Sequence, residues 1–295
     1  MSTIIDKLKE KYKTGTVLTK LIFINIGVFI VLKAIGVVLF LWQIQTVDLI
    51  TFFGVPSGLY MLSNRFWTPF TYMFYHERFW HILINMLWLY WFGRMFLQYF
   101  TGRTMGSLYV LGGLAGAALY FLFFNTIPVL MEIERPFLIG ASASVMAIVM
   151  GAAFYRPEAK LNLFLFGQIR IIYIALAIFV IDFLSIGSGI NPGGHIAHIG
   201  GSAMGYLFAV LYRNGKDITA WISRIIDWVV NLFKPRPKKA KMKVEYTRAE
   251  SDWEYNKRKH SEQAEIDAIL DKLKQSGYNG LSAEEKRKLF DASKK

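Results

Sequence analysis

No cysteine occurs in the 295 residues, which removes disulfide frameworks, thiolate nucleophiles and cysteine-held metals from consideration. The five histidines lack carboxylate or cysteine companions at ligand spacing, so neither a metal nor a cofactor is expected. Period-2 alternation is absent too, which argues against a β-barrel, and no repeat of solenoid period is evident. The basic opening MSTIIDKLKEKYKTGTVLTK precedes an apolar run without a small-residue cleavage pattern after it, so the expectation is an uncleaved first span.

What the chain has in abundance is apolar side chain: 54% of it is hydrophobic and 16% aromatic. Apolar stretches of about 17–25 residues, the length that crosses hydrocarbon as a helix, alternate with short loops. Spans are predicted near 17–38, 79–99, 105–127, 138–155, 169–187 and 194–212, an all-α polytopic membrane protein. Lys7, Lys9, Lys11, Lys13 and Lys20, with Arg94, Arg103, Arg156, Lys160 and Arg170, mark the amino terminus and the second and fourth connections as cytoplasmic. Both termini then lie in the cytoplasm, and a bacterial inner membrane is the expected location. The opposite connections hold little positive charge, chiefly Arg65, Arg78 and Arg135.

The division expected is a basic amino terminus over 1–16, a six-span core over 17–212, an amphipathic helix with a polybasic linker over 213–247, and a small helical tail over 248–295. The stretch from about 39 to 78 is outside yet rich in Trp, Phe and Tyr, which suits a structure half sunk in the outer interface. Ile218, Trp221, Ile222, Ile225, Val229 and Phe233 recur at helical spacing before KPRPKKAKMK, a combination that attracts anionic lipid. Lipid rather than nucleic acid therefore accounts for the net charge of +13. In the tail, Ser282 and Glu285 have capping-box spacing and GYNG reads as a break, so a helical hairpin is expected.

Uncompensated polar groups are costly inside a bilayer, which makes those within spans functional candidates. His81 and Asn85 share one face of the second span, Ser142 lies in IGASASVMAIVMG of the fourth, and His198 in GGHIAHIGGSAMG of the sixth. All enter from the outer side within a few positions of a span's start, so they share one depth. Ala143, Ala147 and Gly151, like Ala197, Gly201, Gly205 and Ala209, recur every fourth position and permit close helix approach. A neutral histidine is a suitable base for a serine hydroxyl. The Ser142 N–H near a helix start and the side chains of His81 and Asn85 are candidate oxyanion donors. No acid is expected beside His198; Asp182 is nearest by level, and a Ser–His dyad is the reading. Ser144, about 200° around the helix from Ser142, is the lesser nucleophile candidate.

GAS at 140–142, HxxxN at 81–85 and AHxxG at 197–201 resemble the rhomboid intramembrane proteases, in that family's order and on alternating spans. The resemblance covers roughly 15–212. It implies a rhomboid-like bundle of six transmembrane helices, Ser142 as nucleophile, His198 as base, and His81 and Asn85 assisting the oxyanion. His76, Gly140, Met146, Gly201 and Gly205 would support the site. Transmembrane proteins would be the substrates, cut near the outer face. The alternative is a catalytically silent relative that binds membrane clients. Three positions depart from the family pattern: Thr68 after Trp67, Ala143 after the serine, and Met146 where an aromatic residue is common.

Overall fold

A computed structural model describes residues 3–44, 48–133, 137–163, 167–233 and 251–293. The basic run at 234–243 and Arg135 lie outside the described residues. Two compact units divide at residues 234 and 235.

In the first unit, α1 (Ile4–Thr14) leads into α2 (Val17–Leu41), whose start is capped by Thr16 accepting from Thr19 N–H. Short helices follow: α3 (Leu49–Phe53), α4 (Leu59–Asn64) and α5 (Thr68–Thr71), then a 3-10 turn at Tyr72–Phe74. Next come α6 (Phe79–Phe96), α7 (Gly102–Phe124) and α8 (Pro128–Met131). The core closes with α9 (Ser142–Tyr155), α10 (Ile171–Ser185), α11 (Pro192–Arg213) and α12 (Ala220–Phe233). The architecture is mostly helical, as expected, with two small antiparallel ladders besides. β1 (Val55–Pro56) pairs with β2 (Phe137–Leu138), and β3 (Lys160–Leu163) with β4 (Gly167–Arg170).

Among the described residues, three helices suffice by length and composition to cross a membrane: α2, α7, and α10 with its 3-10 extension to Ser188. α6 and α11 reach spanning length, but histidine, asparagine and glycine lower their hydropathy. α9 has 14 residues, about 21 Å of helix, and starts later than the predicted 138. Phe137 and Leu138 are in β2, and Gly140 takes φ +108°, which no helix accommodates. Burial explains how so short a helix persists. Every residue from Ala143 to Ala153 is buried, so α9 is enclosed by protein, whereas α2 buries only Leu18 and Asn25.

The packing of α9 rests on missing side chains. A Cβ added at Gly201 would overlap the Ala143 carbonyl, and one at Gly205 the Ala147 carbonyl. On the α7 side, Gly112 and Gly116 leave room for the methyls of Ala147 and Ala143. Backbones that approach this closely gain dispersion contacts that lipid cannot replace. Polar contacts add ties: Asn25 Nδ2 donates to Tyr109 Oη at 3.2 Å, and Tyr109 Oη to the Met73 carbonyl at 3.1 Å.

The aromatic stretch before α6 is held through helix-end carbonyls. At the end of α3, the carbonyls of Thr51, Phe52 and Phe53 have no partner within the helix. Arg65 Nη1, Trp67 Nε1 and Thr71 Oγ1 donate to them at 2.8, 3.0 and 3.0 Å. Tyr72 Oη donates to the Gly113 carbonyl at 2.6 Å, which fastens this stretch to α7. On α12, Ile222 is buried while Trp221, Ile225, Trp228 and Val229 are exposed. Ser223 and Ser107 share a 2.8 Å hydroxyl contact that ties α12 to α7.

The second unit holds α13 (Asp252–Ser276) and α14 (Ala283–Ala292). Both begin with a complete capping box, Ser251 with Glu254 and Ser282 with Glu285. Ile269 and Leu281 are buried, and Lys272 Nζ bridges to Glu285 at 2.8 Å.

Two outcomes follow. Gly201→Ala is expected to destabilise by about 1–3 kcal/mol, whereas Gly36→Ala, where an added Cβ meets nothing within 4 Å, leaves the unfolding midpoint unchanged in thermal melts. In the tail, the Lys272 ammonium, and next the Ser282 N–H, hold the Glu285 carboxyl down from 4.5 to about 2. A depressed carboxyl stabilises the fold above its unfolded value and loses that effect as protons bind. Protection factors for amide exchange across α14, taken against the intrinsic rate at each pH, should therefore fall as pH drops from 4.5 towards 2, and Glu285→Gln should abolish the dependence.

Candidate active site

Ser142 is the first residue of α9. Its own N–H and that of Ala143 belong to the orphan donors of a helix start, at the end where the helix dipole favours negative charge. The turn before it is built to expose them. Gly140 N–H donates to the Tyr72 carbonyl at 2.9 Å, and Gly140 takes the positive φ that lets the chain enter the helix abruptly. A side chain at 140 would meet the His81 ring at 2.6 Å. Glycine is thus required twice, by conformation and by the imidazole lying over it.

His76 and His81 form a pair with ring centroids 5.0 Å apart. His76 is 2% exposed, and its Nε2 accepts from Ala141 N–H at 3.3 Å. Acceptance at Nε2 puts the proton on Nδ1, which faces the Phe74 carbonyl at 3.4 Å. His76 therefore fixes the residue that precedes Ser142, rather than facing a reacting atom. Asn85 Nδ2 donates to the His81 carbonyl at 2.9 Å, so one of its two amide hydrogens is bound within its own helix. Met146 is buried one turn below Ser142. Ser144 Oγ is buried without a partner and points at α7 beside Gly113, away from α11.

His198 is on α11 one turn before Gly201, the glycine that abuts Ala143. Ser142 and His198 are thereby brought to the same end of one helix contact. Ser142 Oγ makes no hydrogen bond to His198 among the described residues. What His198 does hold is a carboxylate. Its Nδ1 lies 2.8 Å from Asp182 Oδ1, and His195 Nδ1 lies 2.9 Å from the same oxygen.

That cluster corrects two expectations. An acid does stand beside His198, and histidines do have a carboxylate companion: the ligand atoms of Asp182, His195 and His198 lie within 4.8 Å of one another, close enough to hold a metal ion. Neither was visible in linear spacing, because Asp182 precedes His198 by 16 residues and reaches it only through the packing of α10 on α11. A signal was present nonetheless. An ionisable residue in an apolar span, IIYIALAIFVIDFLS, marks a functional group by its cost alone, and His195 is one turn from His198.

Burial first, and then the neighbouring His81 ring, push His76 down from 6.5 to about 4. A base lowered on folding binds protons more readily when unfolded, so stability is complete above pH 6.5 and falls between 6.5 and 4, by up to about 3 kcal/mol. Unfolding in mixed micelles at pH 7.5, 6 and 5 checks this, with His76→Gln expected to flatten the dependence.

A family model described as Rhomboid domain matches residues 63–215, just over half of the chain. Another, described as a family of unknown function (DUF6576), matches residues 250–295. RHOMBOID-like protein 12, mitochondrial, of Arabidopsis thaliana is 28% identical over 163 residues, covering 52% of this chain and 48% of that protein. Rhomboid protein 1, mitochondrial, of Saccharomyces cerevisiae is 31% identical over 140 residues, covering 46% of this chain and 38% of that one. The chain spans about half or less of the length of these relatives. Both are named as mitochondrial, so they lend no support to a bacterial inner membrane. The matched stretch contains Ser142, His198, His81 and Asn85, and the chain belongs to the rhomboid family.

Proposed function

We propose that the protein is an intramembrane serine endopeptidase that cuts transmembrane segments of other membrane proteins near one face of the bilayer. The observation that carries the reading is the start of α9. A serine stands there at the mouth of an enclosed helix, its own N–H and that of Ala143 at the open helix start, and the adjoining helix brings an imidazole to the same end of the contact. Family membership supports the same chemistry.

In this reading α2, α6, α7, α9, α10 and α11 cross the bilayer, and both ends lie on the side richer in Lys and Arg. α9 needs no apolar outer face, because its neighbours cover it. The Ser142 Oγ attacks the scissile carbonyl carbon while its proton passes to His198 Nε2. The carbonyl oxygen becomes an oxyanion that accepts from the Ser142 N–H, His81 and the second amide hydrogen of Asn85. His198 then returns the proton to the leaving amine, and water repeats the sequence to release the acyl group. A substrate helix must first unwind, since its carbonyls are otherwise bonded internally. The exposed Trp221, Ile225 and Trp228 of α12, continued by the basic run at 234–243, suit a helix lying on an anionic membrane surface.

Cleavage of a single-span substrate by the purified protein in liposomes tests the reading. Ser142→Ala and His198→Ala should each reduce turnover at least roughly 10³-fold, with unchanged melting. Cutting that persists in Ser142→Ala would exclude Ser142 as nucleophile, and a silent wild type would favour a client-binding role.

A further inference from the structure

Asp182 is the one charged residue among the buried side chains of α10, whose other buried positions are Ile171 and Ala175. The three fall on one helical face, at intervals of four and seven. α10 thus meets the bundle through buried Ile171 and Ala175, with Ile172, Ile174, Ile178 and Phe179 partly buried against the core, and through one carboxylate near its end. A carboxylate removed from water costs several kcal/mol unless it is paired. Here Oδ1 takes both imidazoles at 2.8 and 2.9 Å, while Oδ2 is buried without a partner. A clamp between two helices would be complete with His195 alone. The second contact falls on Nδ1 of the residue proposed as base.

We propose that Asp182 is a positioning residue for His198, an inference that rests on the serine-protease reading. An ionised carboxylate only accepts, so His198 must carry its proton on Nδ1. Its Nε2 lone pair is then free for the Ser142 hydroxyl. When Oγ bonds to the scissile carbonyl carbon, its proton moves to Nε2. The resulting imidazolium keeps Nδ1–H on Oδ1, where the opposite charge stabilises it until Nε2 delivers the proton to the leaving nitrogen. Asp182 is neither protonated nor bonded to substrate at any step. Because the carboxylate is carried on α10 and the imidazole on α11, the correct tautomer is held only while α10 is seated against α11. His195 shares the oxygen and helps to seat the carboxylate.

The test uses the full chain in liposomes, comparing wild type with Ser142→Ala, Asp182→Asn and His195→Asn. Asparagine keeps the shape of the side chain but can present its amide hydrogens to Nδ1, which favours the wrong tautomer. Asp182→Asn should lower kcat by roughly 10²–10⁴-fold with KM within about threefold. His195→Asn should remain within about tenfold of wild type. Nitrogen-15 spectra of the imidazoles supply a readout that does not depend on turnover. Wild-type His198 should show the Nδ1–H tautomer with a strongly hydrogen-bonded proton, lost in Asp182→Asn. Full kcat in Asp182→Asn, or an Nε2–H tautomer in the wild type, would overturn the proposal. So would a His195→Asn loss as large as that of Asp182→Asn, since the clamp as a whole would then be what matters. Equal turnover in wild type and Ser142→Ala would instead defeat the protease reading, and the spectra alone would then decide whether Asp182 sets the tautomer.

Discussion

The architecture depends on one contact, the backbone approach of α9 to α7 and α11 across Gly112, Gly116, Gly201 and Gly205. Between apolar helices in an apolar solvent there is little hydrophobic gain from association, so closeness of fit and internal hydrogen bonds must hold the bundle. Alanine at 143 and 147 opposite glycine on both neighbours allows that closeness. The same contact sets the distance between the start of α9 and the first turns of α11. Packing and site geometry are therefore one constraint, and a methyl group inserted between these helices disturbs both.

A second layer of order comes from backbone groups that helices leave unpaired. The last carbonyls of α3 are occupied by Arg65, Trp67 and Thr71. The amide of Ala141 is occupied by His76 and that of Gly140 by the Tyr72 carbonyl. Each bond is individually modest, but an orphaned buried group would cost more than its bond contributes. This is why the irregular, aromatic stretch before α6 takes a defined path and fixes the turn that presents Ser142. The pairing of β1 with β2 joins the same two stretches of chain.

Buried polar side chains form the third layer. Asn25 and Tyr109 satisfy one another, and Asp182 gathers two histidines. Ser144 and Ser202 keep buried hydroxyls without partners. The contrast between Ser142 and Ser144 shows how environment separates identical side chains: one stands half-buried at the start of α9, and the other is shut against α7.

Much of this was legible in the chain itself. The helices of the core, the small-residue faces and the polar residues that share a level follow from periodicity and composition, because those signals are local and repeat every few residues. The capping boxes of the tail were legible for the same reason, since Ser282 and Glu285 are only three positions apart. Tertiary structure alone decided what lies between elements. It set the late start of α9, because a strand pairing and a positive φ at Gly140 override an apolar run. It turned His76 towards Ala141. It brought Asp182 to His198, because the rotation and register of α10 against α11 depend on the summed packing of both helices, which no spacing within either one records.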